Sequence, residues 1–232
     1  MVKIRFDPLV TETSQRLFGL SALIELVYRA TPDVELQERE ALKQLAEHEN
    51  WEHGDYGVES QFLDVKFKYW LPKFAAYSII VLLSSTVETQ LLAYAKRVGQ
   101  REKSAFNLNG LKGSVLEKTA LYVRKVSGLE LTTKTRWKVV KDLQVLRNVI
   151  VHRAGKTGDD KKVQLEQIGK IYPGLSFDDN PYTIEAEPEL RLTIHSCRYF
   201  AREIEAFFKE LLKEAGLPVE TGLWPNIESG FR

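Results

Sequence analysis

The chain has 232 residues, 44% hydrophobic and 28% charged, a globular profile that excludes a disordered chain. Its 33 basic and 32 acidic residues give a formal net charge of +1, so nucleic-acid binding would have to rest on a local basic patch rather than on gross charge. Cys197 is the single cysteine, which excludes an intrachain disulfide and a Cys-based zinc site and fits a reducing compartment.

The start, MVKIRFDPLV, lacks the apolar core of a signal peptide. Residues 11–30 place apolar side chains at helical spacing behind polar starters, and Pro32 stops that helix. A charged helix over 33–50 follows, with a narrow stripe of Leu36, Leu42 and Leu45, and the glycine-containing EHGDYG breaks the chain after it. A long helix is predicted over about 70–98, with Pro72 in its first turn and Gly99 near its end. Its middle is apolar on every side, the mark of a buried central helix. The longest uncharged stretch, residues 74–87, falls short of the roughly 20 residues a bilayer crossing needs. The expectation is a soluble, cytoplasmic protein without a membrane segment.

Further helices are predicted over 114–128, closed by Gly128, and over 132–152. Residues 162–187 carry short alternating runs and turn signals at Pro173-Gly174 and Asp179-Asn180-Pro181, which predict a small hairpin or loop excursion. A final helix over 188–216 ends at Gly216 and Pro218, and the tail after it is expected to pack loosely. The reading is an all-α bundle with one modest β excursion.

The helix ending in LQVLRNVIVHRAG (143–155) raises a question, because Arg147, Asn148 and His152 interrupt an aliphatic run. At ~100° per residue, Val139, Leu143, Leu146 and Ile150 form one core-facing stripe. Asn148 and His152 lie together on the other side, near Lys138 and Lys141. Arg147 sits at the border of the stripe, ~140° around from His152 and roughly 7.5 Å along the axis. A joint site therefore needs Arg147 to wrap around, or a second helix. Val145 and Val149 flank His152, which implies a cover on that side, such as another copy of the chain.

A histidine in the last turn meets the negative end of the helix dipole, and imidazole exchanges a proton near neutral pH. Guanidinium can bind two phosphate oxygens at once. An arginine, an amide and a histidine without a metal-ligand set point to metal-free phosphodiester chemistry, with a ribose 2′-OH as internal nucleophile. The plainer alternative pairs Arg147 with a core carboxylate and uses His152 to cap the helix.

Arg147-Asn148-x-x-x-His152 at the end of a helix in a small bundle resembles the signature of the HEPN superfamily, an arginine followed by a histidine four to six residues on. Asn148 directly after the arginine, and the glycine after the histidine, strengthen the likeness. It extends loosely from about residue 70 to 215. It implies an HEPN-like up-and-down helical domain over 70–216, with an insert at about 156–187, an N-terminal helical extension over 1–69 and a tail over 217–232.

The resemblance further implies a homodimeric, metal-independent endoribonuclease in a toxin or antiviral defence role, needing no cofactor, its two copies meeting through the 132–152 helix. His152 would be the general acid/base, Arg147 would hold the scissile phosphate, and Asn148 would orient the site. Glu88 resembles the polar residue that an earlier helix of such proteins points towards the site; the alternative is an ordinary surface carboxylate. RNA would be the substrate, and an antitoxin or regulatory protein a further partner. Ala154 stands two residues after the histidine, where toxins paired with a nucleotidyltransferase antitoxin tend to carry tyrosine. The other reading of the same fold is a non-catalytic dimerisation or docking module.

Around the motif, Lys134, Arg136, Lys138, Lys141, Arg147, Arg153, Lys156, Lys161 and Lys162 face only Asp142, Asp159 and Asp160, nine cations against three carboxylates. Arg153, Lys141, Lys138 and Lys156 are the expected RNA-backbone contacts. Trp137 is the only aromatic there, so base-specific readout is not indicated. His48 and His53 in EHENWEH are five apart and do not share a helical face, so no metal site is expected. His195 reads as packing or surface, and NLNGLKGS lacks P-loop spacing.

Overall fold

The computed structural model describes residues 6–158, 162–179 and 188–225. Helix α1 spans Pro8–Glu49, started by Asp7, whose carboxylate accepts from the Leu9 amide at 2.9 Å. Pro32 was expected to end this helix, yet the helix runs through it. Proline removes one backbone bond, and the continuation is held from outside. Arg39 bonds Glu35 one turn back and Asp64 on the following helix, and Lys66 pairs with Glu38.

Asn50, in the left-handed conformation, ends α1, and α2 (His53–Val65) starts three residues later. The expected EHGDYG break is therefore mostly helix, with Gly54 and Gly57 inside it. A π-turn over Lys66–Trp70 joins α2 to α3 (Leu71–Arg101), so residues 53–101 form one continuous helical rod. Part of this rod is long and apolar enough to cross a membrane, and half of that stretch is buried within the protein.

The next helix, α4 (Val115–Ser127), has a complete capping box between Ser114 and Glu117, and Gly128 closes it in the left-handed conformation. The motif helix is α5 (Trp137–Arg153); its expected first turn is instead a 3-10 turn over Leu131–Thr133. Residues 162–171, read as alternating runs, form helix α6 (Lys162–Ile171). The hairpin comes after it: β1 (Leu175–Asp179) pairs antiparallel with β2 (Pro188–Leu192), in the register Leu175↔Leu192 and Phe177↔Leu190. The Asn180-Pro181 half of the expected second turn lies outside the described residues. β2 takes the first residues of the expected last helix, and α7 runs from Ile194 to Glu214.

The all-α fold with a small hairpin before the last helix is thus present. One core joins α1, α3, α4, α5 and α7 around Ile80, Leu91, Leu146, Phe200 and Phe207. Val10, Leu17, Leu20 and Ile24 of α1 belong to it, so the first half of α1 is built into the bundle. The tail packs too: Trp224 lies against the core and donates to the Val219 carbonyl at 2.7 Å.

Candidate functional site

Helix α5 buries Trp137, Val140, Asp142, Leu143, Leu146 and Val149, packing on α3 and α7. The buried arc is wider than the stripe drawn from the sequence, and Val139 and Ile150 are only half-buried at it. Val149, expected to need cover from another copy, lies in the core of its own chain. Val145 is half-buried against that core. The open arc holds Lys141, Gln144, Asn148, Val151 and His152, and Val151 is 46% exposed.

Arg147 lies at the edge of this arc, half-buried, and its Nη1 donates to Asn148 Oδ1 at 3.0 Å. Asn148 is one turn from His152 on the same face. The guanidinium therefore leans across the helix to the residue beneath the histidine, which narrows the divergence the wheel shows. Among the described residues Arg147 forms no ion pair, so the alternative of a core carboxylate partner does not apply within one chain. His152 is exposed and makes no hydrogen bond or ion pair among the described residues, so it does not cap the helix with its side chain.

The end of the helix is held firmly. Ala154 is left-handed (φ 51°) and Gly155 has φ 93°. The Gly155 amide donates to the Val149 carbonyl at 3.1 Å, and its own carbonyl accepts from Leu190 of β2 at 2.9 Å. Tyr77 of α3 lies against Gly155, where a Cβ would come 2.0 Å from the phenol oxygen, and donates to the Leu190 carbonyl at 2.5 Å. Burial raises the Tyr77 pKa, with the nearby Glu189 adding to the shift, so the phenol remains a donor. Beneath the hairpin, Glu189 accepts from Lys73 at 2.5 Å and Tyr69 at 2.8 Å, with both members of the ion pair almost fully buried. A histidine one turn before this clasp is fixed to α3 and to the hairpin through backbone and buried polar groups.

The expected basic cluster is thinned by pairing. Lys138 binds Asp142 at 2.5 Å, and Asp142 also accepts from Tyr172 at 2.6 Å. Lys134 pairs with Glu214, and Arg136 with Glu203 and Glu210, all on α7. Lys141 is exposed and forms no ion pair among the described residues. Arg153 reaches the Thr157 carbonyl at 3.5 Å, and Lys156 is half-buried beside the hairpin, bridging Glu189 through the backbone. Lys161 lies outside the described residues. Glu88 is half-buried on α3 and forms no bond to the motif residues.

Arg147, Asn148 and His152 are therefore brought together, with Lys141 on the same open arc, and no contact draws Glu88 in. Among the described residues no cluster of His, Cys, Asp and Glu could hold a metal ion, and His48, His53 and His195 are all exposed. The Tyr77–Gly155 clasp and the Lys73–Glu189 pair escape sequence reasoning: 116 residues separate Lys73 from Glu189, and only the glycine after the motif hinted at a close approach. No protein-family model, curated protein or solved structure matches the chain.

Proposed function

We propose that this chain is a metal-independent endoribonuclease of the HEPN type, acting in the cytoplasm in a toxin or antiviral defence role. The observation that carries the reading is the open arc of α5, where Arg147 and Asn148 are joined below a solvent-facing His152 and, among the described residues, no carboxylate claims the arginine. Groups kept out of internal pairing in this way are available to a phosphodiester.

In the reaction, His152 takes the proton from a ribose 2′-OH, whose oxygen attacks the adjacent phosphorus. The bond from phosphorus to the 5′-oxygen breaks, and that oxygen receives a proton, leaving a 2′,3′-cyclic phosphate and a 5′-hydroxyl. Arg147 neutralises the charge that builds on the phosphoryl oxygens, and Asn148 holds the guanidinium. One histidine cannot stand on both sides of the phosphorus at once, so a second copy, meeting the first through the open arc of α5, supplies the second proton-transfer group. An antitoxin or regulatory protein would restrain the activity.

The test is cleavage of RNA in EDTA by the wild type and by His152→Ala. His152 makes no bond among the described residues, so the variant should keep its stability within about 0.5 kcal/mol. Its cleavage should fall by about 10²–10⁴. A wild type that cuts nothing, or a variant that cuts equally well, refutes the assignment. The second reading, a non-catalytic module that dimerises or docks through α5, is favoured by exposed Val151 on the same arc. It expects RNA untouched by either protein.

A further inference from the structure

The ribonuclease reading makes no use of the first quarter of the chain, which holds a feature of its own. Past Ile24, α1 buries no further residue, and α2 buries none. The two helices run back to back from Pro32 to Val65 as an arm, stitched by Arg39 to Asp64 and Lys66 to Glu38. At ~1.5 Å per residue, the 13 residues of α2 make this arm about 20 Å long.

The arm is acidic. Residues 33–64 hold ten carboxylates and two Lys or Arg, a charge of −8 in a chain whose total is +1. Asp33, Glu47, Glu52, Asp55 and Glu59 are exposed and form no ion pair among the described residues. The opposite charge is concentrated elsewhere. Residues 94–158, from the last turns of α3 through α4 and α5, hold fifteen Lys or Arg and four carboxylates, a charge of +11, which stays strongly positive after Arg97, Lys134 and Arg136 are answered by Asp7, Glu214, Glu203 and Glu210 from outside the stretch. There Lys96, Lys103, Lys112 and Lys118 form no ion pair among the described residues.

Both surfaces also carry apolar side chains that a lone chain leaves in water. On the arm, Leu36 is 69% exposed and Phe62 64%. On the basic wall, Phe106 is exposed beside Lys125, whose ammonium lies 5.0 Å from its ring centre. A surface of charge −8 repels a phosphate backbone and an anionic lipid surface alike, so the arm's partner is a basic protein surface with apolar side chains. Among the described residues, α2 packs chiefly on α1.

We propose that the acidic arm is a docking surface for a second copy of this chain, and that it seats on that copy's α3–α4–α5 wall. Each copy offers one arm and one wall, so two copies that exchange arms close a two-fold dimer. This contact differs from an α5-to-α5 pairing and does not rest on the ribonuclease reading. Its attraction is between exposed charges and is therefore screened by salt.

Sedimentation velocity of the full chain, from about 0.05 M to about 0.5 M salt, tests this, because the Debye length falls severalfold over that range. The wild type should associate at low salt and weaken at least tenfold at high salt. A variant carrying Asp33→Asn, Glu47→Gln, Glu52→Gln, Asp55→Asn and Glu59→Gln should lose the salt-dependent association, its sedimentation at low salt matching that at high salt, with an unchanged circular dichroism spectrum. A charge exchange supplies the second arm of the test. Glu47→Lys with Glu59→Lys in one protein, and Lys96→Glu with Lys118→Glu in another, should each abolish the salt-dependent self-association, while mixing the two restores it. A wild type monomeric at low salt assigns the arm to a different basic protein and overturns the proposal. So does a neutralised arm that associates as tightly as the wild type at low salt, or a charge-exchanged mixture that regains no salt-dependent association.

Discussion

Replacing Gly155 by alanine probes how the end of the motif helix is held. Gly155 has φ 93°, and a Cβ there would lie 2.0 Å from the Tyr77 phenol oxygen and 2.7 Å from the carbon that bears it. Left-handed backbone at a residue with a Cβ costs about 1–2 kcal/mol. Tyr77 is buried and cannot swing away without giving up its 2.5 Å bond to the Leu190 carbonyl, about 1 kcal/mol more. Forcing an extra methyl into packed surroundings adds about 1–3 kcal/mol. Together these amount to roughly 3–6 kcal/mol, a large part of the stability of an ordinary domain.

Urea denaturation of Gly155→Ala, alone and with Tyr77→Phe, measures it. The midpoint should fall with little change in slope. In the Tyr77→Phe background the cost of the alanine should shrink without vanishing, because the oxygen is gone while the ring carbons remain within 3 Å. If the single variant lies within about 0.5 kcal/mol of wild type, or if its cost is the same in both backgrounds, the clasp does not hold the helix end.

Other outcomes follow from the same contacts. Glu189→Ala strands the buried Lys73 ammonium and should destabilise by about 3–5 kcal/mol in denaturant titrations, whereas the double change Lys73→Met with Glu189→Leu should recover much of that loss. Ser114→Ala removes one half of the capping box and should cost about 1 kcal/mol by the same measurement. Burial pushes the Cys197 thiol from 9.0 up to about 12. Above pH 9 the unfolded chain therefore gives up a proton that the native chain keeps, and stability should fall as pH rises from 9 towards 12. A thiol reagent at pH 8 should find this group only after denaturation.

Much of the fold was legible because its signals are local. The capping box at Ser114 and the left-handed Gly128 mark α4 within a few residues of sequence, and the periodicity of α7 survives everywhere except its start. Errors came where distant contacts outweigh local preference. Pro32 signals a helix end by itself, yet α1 continues past it, its second half packed along α2 and paired to it through Arg39 and Lys66. PELRL has no glycine or proline to separate it from the helix that follows. It is a strand because Leu190 and Leu192 pair with Phe177 and Leu175 of β1.

The site was legible in a different measure. The spacing of Arg147, Asn148 and His152 is enough to put the last two on one helical face, and the Arg147–Asn148 bond shows how the third joins them. Counting charges along the motif, however, overstates the basic surface. Lys134 and Arg136 stand 80 and 67 residues from the Glu214 and Glu203 that neutralise them, and Lys138 is taken by a carboxylate one turn along its own helix. What remains open to an anion on α5 is Lys141, the Arg147–Asn148 pair and His152. A footprint this small spans few phosphates, so RNA binding through it should show a shallow salt dependence, with log K falling by about 0.9 per phosphate contacted on a duplex and about 0.7 on a single strand. A steep slope would require the α4 lysines as well. The wall that the acidic arm is proposed to occupy would then be the same surface that RNA must reach, and the two would compete for it.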